Sequence, residues 1–161
     1  MCIRDRNIIG VNKRGRKVEG CTKVITIDKI DSVLPEADFL YLAVPGTPDT
    51  KNLINKKRLD MLKTTCGVVN IGRQSAMDYD ALREKLKKNE IAGAILDVFS
   101  HEPLDKSSKL WDTPNLVITP HVSSDDDGNY VELTLGIFFS NLKLFIENKE
   151  LTNQVDKKLG Y

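Results

Sequence analysis

Apolar residues in this chain collect into short continuous runs rather than alternating with polar ones. The runs occupy residues 7–11, 24–27, 39–44, 67–71, 91–96 and Leu116–Ile118, and each is closed by glycine, proline or charged residues. A run without a period of two marks a strand covered on both faces, the kind found in parallel sheets. The segments between the runs carry helical spacing. Residues 28–34 predict a short helix ended near Pro35, and Thr50 reads as the N-cap of a helix through Leu62, with Leu53, Ile54, Leu59 and Leu62 on one face. Ser75, with Asp78 three positions on, reads as a capping box before a helix over 78–88. A last helix, about 130–147, follows Asp125, Asp126 and Asp127, whose charge suits a helix N-terminus. It holds too many apolar residues for one stripe (Leu133, Ile137, Phe138, Leu142, Phe145, Ile146), which predicts packing on two surfaces. Strands alternating with helices define an α/β fold, a doubly wound parallel sheet.

Composition narrows the function. At 161 residues the chain suits one domain with a core, and a net charge of +1 gives no reason to expect nucleic acid or a membrane surface. No apolar stretch approaches the roughly 20 residues needed to span a bilayer. Three cysteines, an odd number without metal-ligand spacing, fit a reducing cytoplasm, and Cys66 beside a strand reads as a core thiol. Met1 to Arg6 form a charged prefix set directly against an apolar run; it is expected to be non-native, with the chain the later part of a longer protein.

Three of the runs deliver a polar group at the carboxyl end, which is where open parallel sheets bind ligands. Residues 67–71 lead to Arg73, 91–96 to Asp97 and then Glu102 in a proline-stiffened loop, and Leu116–Ile118 to His121. A guanidinium can grip a carboxylate through two parallel hydrogen bonds, and imidazole is the usual proton donor near neutral pH. His101, with no strand behind it, reads as solvated. Asp97, costly to bury unpaired, must bond a cap or a nicotinamide amide. No Gly-x-Gly-x-x-Gly follows a strand here. The first strand ends in Asn12, Lys13 and Arg14, with Arg16 nearby and no acid, which favours a 2′-phosphorylated cofactor, NADP, over NAD. An ordinary solvated basic turn remains the alternative, and Asn12 could still serve a ribose 2′-hydroxyl.

Four ordered motifs, Ala43-Val44-Pro45 with Thr47, Pro48 and Thr50, then Val69 to Arg73, Leu96 to Leu104, and Asn115 to His121, resemble the D-isomer-specific 2-hydroxyacid dehydrogenases, most nearly the glyoxylate/hydroxypyruvate reductase branch. The resemblance implies a Rossmann-like fold, N-terminally truncated, in which residues 7–124 are a partial dinucleotide-binding domain. Residues 125–161 would form a crossover helix and tail belonging with an absent substrate domain. It implies catalytic Arg73, Glu102 and His121: Arg73 anchors the substrate carboxylate, Glu102 favours the imidazolium of His121, and His121 protonates the carbonyl oxygen. It further implies cofactor contacts at Arg14, Val44, Pro45, Ile71 and Asp97, with NADP or NAD bound, a small 2-oxo acid as substrate, and a homodimer in the complete protein. Gln74 stands where the family usually has glycine, which matters if that position needs a positive φ. The expectation is an oxidoreductase whose isolated chain has little activity. The alternative is a non-catalytic nucleotide-binding scaffold or sensor of corepressor type.

Overall fold

The computed structural model describes residues 6–126 and 128–158. Met1 to Asp5 of the prefix, Asp127 of the acidic triplet and the last three residues of the tail lie outside them. Six strands form in chain order: β1 (Ile9–Asn12), β2 (Lys23–Thr26), β3 (Phe39–Leu42), β4 (Gly67–Asn70), β5 (Gly93–Leu96) and β6 (Leu116–Ile118). All pair in parallel, as β1-β2 in one sheet and β3-β4-β5-β6 in another. Residues following β1, β3 and β4 line one cleft, so the carboxyl ends of both sheets point the same way. Both β1 and β3 also line a second, apolar groove of about 670 Å³ between the sheets.

Helix α1 is one turn (Lys56–Leu59), α2 spans Tyr79–Lys87 and α3 spans Tyr130–Ile146. The core lies between one face of the larger sheet and α1 and α2. Ile54, Leu59, Leu82, Leu86 and Leu96 are fully buried in it, as is the thiol of Cys66. Burial raises the pKa of that thiol, as expected of an inert core cysteine.

The expectation of strands covered on both faces is corrected here. Phe39, Tyr41, Ile95 and Val117 are exposed on the other face, because the short helices of this chain pack on one side only. Nor does α3 pack on two surfaces: no described residue of it is buried. Three local readings also change. The helix expected from Thr50 does not form, since its hydroxyl bonds Pro45 O at 2.6 Å and Thr47 O at 3.1 Å, closing a turn instead. Asn55 is the cap of α1, accepting from Arg58 N. Ser75 belongs to a 3-10 turn, and Asp78 itself caps α2 by accepting from Ala81 N. Residues 28–34 form 3-10 turns that run through Pro35, not an α-helix.

Candidate active site

The cleft at the carboxyl ends of β1, β3 and β4 has a volume of about 520 Å³. Val11, Ile27, Val44, Pro45 and Ile71 give it apolar walls, and Lys13, Asp49 and Arg73 put charge on its rim. Gly72 sets its floor: a Cβ there would lie 2.6 Å from Val44 O and 2.8 Å from Val44 N. Only glycine lets the two strand ends approach this closely. Such a cleft, apolar with sparse polar groups at the ends of parallel strands, fits a nucleotide. Of the expected cofactor contacts, Val44, Pro45 and Ile71 line it. Arg14 does not; the basic side chain that the loop after β1 puts in its wall is Lys13, which bonds Asp49 Oδ2 at 2.6 Å across the loops following β1 and β3. Arg14 instead donates its backbone N–H to Asn12 Oδ1, within a turn where Gly15 takes a φ of 64°.

Arg73 leaves β4 on the same rim. Its aliphatic stem crosses Gly46, where an added Cβ would sit 3.2 Å from Arg73 Cγ, and its Nη1 donates to Gly72 O at 2.7 Å. The neighbouring Gln74 begins a 3-10 turn and is not among the positive-φ residues, so a side chain is tolerated there.

Glu102 and His121 follow β5 and β6, which are adjacent and parallel, and the structure brings them together: His121 Nδ1 lies 2.7 Å from Glu102 Oε2. An ionised carboxylate only accepts, so Nδ1 carries the hydrogen and Nε2 is left for other partners. The imidazole partnership, with a second bond from Phe99 N to Oε1 at 2.8 Å, holds the Glu102 carboxyl below its ordinary pKa. His121 sits at φ 58°, a left-handed conformation uncommon outside glycine but more frequent for histidine than for most residues. Neither residue lines the 520 Å³ cleft; Arg73 does. The triad is therefore a close pair with an arginine at the end of the next strand beyond β5. His101 is exposed, as expected.

Asp97 is tied into its own chain, the cap-like role the sequence also allowed. It is 1% exposed, and its Oδ1 accepts from Thr119 Oγ1 (2.6 Å) and Val122 N (2.9 Å) while Oδ2 accepts from Ser123 N (2.9 Å). Burial pushes its pKa up, but these bonds together outweigh burial and bring it down to about 2. Asp97 fastens the turn on which His121 sits. Two residues of consequence carried no assigned role in the sequence. Asn70, fully buried, accepts from Gly72 N and donates to Arg73 O; Tyr79 links Asn70 Nδ2 to Val98 O. Asn70 had a visible signal, as the one polar residue in an apolar strand. Tyr79 had none.

Among the described residues no cluster could hold a metal ion, and no helix is long and apolar enough to cross a membrane.

Three comparisons bear on this arrangement. The family model for the D-isomer specific 2-hydroxyacid dehydrogenase, NAD binding domain, matches residues 4–123. An uncharacterized protein in the proB 3′ region of Corynebacterium melassecola is 37% identical over 95% of this chain and 50% of its own length. Glyoxylate/hydroxypyruvate reductase B of Pectobacterium carotovorum is 45% identical over 59% of this chain and 30% of its own. The chain thus spans half or less of these curated relatives. Among solved structures, a D-isomer specific 2-hydroxyacid dehydrogenase from Xanthobacter autotrophicus, crystallised with NADPH, superposes with a TM-score of 0.87 at 28% identity, over 96% of this chain and 63% of that one. An NADPH-dependent glyoxylate/hydroxypyruvate reductase from Sinorhizobium meliloti, in complex with NADP, gives 0.86 at 31% identity, over 96% and 49%. With the model of their NAD-binding domain matched over most of its length, the chain belongs to the D-isomer specific 2-hydroxyacid dehydrogenases.

Proposed function

We propose that this chain supplies the nucleotide cleft and the catalytic residues of an NADP(H)-dependent reductase of small 2-oxo acids, of glyoxylate/hydroxypyruvate type. The observation that carries the reading is the 2.7 Å pair of Glu102 and His121 at the strand ends beside the cleft rimmed by Arg73. Val44, Pro45 and Ile71 would hold the dinucleotide, with Lys13 at the rim to meet a 2′-phosphate. When bound, the cofactor supplies the hydride.

The chain's own residues do the rest. Arg73 presents a planar fork of donors, suited to the carboxylate of a 2-oxo acid. Glu102, ionised and bonded to Nδ1, stabilises positive charge on the ring of His121 and fixes its orientation. That leaves Nε2 of His121 to deliver a proton to the carbonyl oxygen as it gains charge. The carboxylate of Asp97 holds the His121 turn, so the imidazole is positioned by two carboxylates with separate duties.

Two measurements test this. Titration of the chain with NADPH, followed by cofactor fluorescence, should show binding that is weakened by Lys13→Ala. The complete gene product should reduce glyoxylate or hydroxypyruvate with NADPH, whereas this chain alone should turn over little. NADPH binding without turnover of any 2-oxo acid by the complete product would favour a scaffold role.

A further inference from the structure

A continuous line of hydrogen bonds connects the Arg73 turn, through buried Asn70 and Tyr79, to the exposed pair of Glu102 and His121. The Nδ2 of Asn70 donates to Arg73 O at 3.1 Å and to the Tyr79 hydroxyl at 3.0 Å. That hydroxyl donates to Val98 O at 2.9 Å. The N–H of Phe99 donates to Glu102 Oε1 at 2.8 Å, and Glu102 Oε2 meets His121 Nδ1. Val98 C=O and Phe99 N–H belong to one peptide unit, which is planar. Fixing the carbonyl therefore fixes the direction in which the N–H points. Asn70 and Val98 are at most 1% exposed and Tyr79 is 8% exposed, so water does not compete for the bonds from Asn70 to Tyr79 and from Tyr79 to Val98.

We infer that Tyr79, held by Asn70, is a positioning residue: its hydroxyl orients the Val98–Phe99 peptide so that the Phe99 amide holds Glu102 against His121. The part concerning catalysis rests on the function proposed above; the part concerning the peptide does not. The phenol acts as a dipole and not as an acid, since burial pushes its ionisation far above neutral pH. Its ring is placed by packing, edge-on to Phe99 with centroids 6.4 Å apart. Tyr79→Phe keeps that ring and removes only the hydroxyl, leaving Val98 O and one Asn70 N–H without partners.

The first test is amide hydrogen exchange, read by NMR on the chain as it stands. Tyr79→Phe should speed exchange of the Phe99 amide at least tenfold while Ile95, in the centre of the sheet, changes less than threefold. No change at Phe99, or an equal increase at both, overturns the inference. Should the variant not fold, 3-fluorotyrosine at position 79, a better hydrogen donor, decides instead: Phe99 exchange slows at least twofold, and an unchanged or faster rate overturns it. The second test uses the complete gene product. Tyr79→Phe should lower kcat about tenfold with KM for the oxo acid and NADPH within about twofold. Added to Glu102→Gln it should cost less than a further twofold, because both act through one carboxylate. A full multiplicative loss overturns the role in catalysis. Wild-type protein without turnover would defeat the proposed function, while the exchange result would still decide the peptide's role.

Discussion

The imidazole of His121 and the carboxylate of Glu102, 19 residues apart in the chain, meet at 2.7 Å because β5 and β6 are neighbours in a parallel sheet. The pair is 36–44% exposed at its side chains, so its role does not lie in stability. An ion pair this open to water contributes little to folding. Glu102→Gln keeps the shape and removes the charge. In the complete gene product it should lower kcat by roughly 10²-fold with little change in KM, and His121→Asn should cost about 10³-fold. Unfolding midpoints of both variants should stay near that of the wild type. Steady-state kinetics beside thermal melts check this.

Asp97 is the opposite case, a buried carboxylate with a structural duty. Its pKa falls from 3.8 to about 2 on folding. A lowered pKa means that the folded chain binds the proton less tightly than the unfolded chain. The stabilisation is then complete above about pH 4 and is lost as pH falls towards 2, worth about 2 kcal/mol. Asp97→Asn should destabilise the chain at pH 7 and flatten its stability between pH 4 and 2. Urea midpoints across that range decide.

Gly72 and Gly136 should respond in opposite senses to alanine. At Gly72 the new Cβ would meet the backbone of Val44 at 2.6 Å, which no side-chain movement relieves. We expect a loss of about 2 kcal/mol or more together with weaker NADPH binding. Gly136 lies in α3 with nothing within 4 Å of an added Cβ, so alanine should stabilise by about 0.5–1 kcal/mol. Chemical denaturation of the two variants side by side is the measurement.

The apolar residues of this chain divide into those that hold the fold and those that do not. Leu86 is completely buried, and Leu86→Ala should cost about 2–5 kcal/mol. Phe145 is 69% exposed on α3, and Phe145→Ser should change stability by no more than about 0.5 kcal/mol. Solubility of the second variant should rise, since exposed apolar surface is lost. Equal destabilisation by both would contradict the open placement of α3.

Much of this protein can be read from local order in its sequence. The six apolar runs became six parallel strands, with Leu116–Ile118 at its expected bounds, because such runs depend on near neighbours alone. The polar residues waiting beyond β4, β5 and β6 were legible for the same reason. Other readings turned on groups offered a choice of partner. The hydroxyl of Thr50 could cap a helix or close a turn, and Pro45 O decided it. Asp97 was open to a cap or a nicotinamide amide, and the amides at Val122 and Ser123 each bond one of its oxygens. Arg14 and Lys13 were equivalent as sequence, but only Lys13 borders the cleft. Burial on one sheet face alone, the pairing of Glu102 with His121 and the bond of Tyr79 to Val98 all depend on which strands lie side by side. Sheet order joins residues that are distant along the chain, so no local pattern encodes those contacts, and tertiary structure alone settled them.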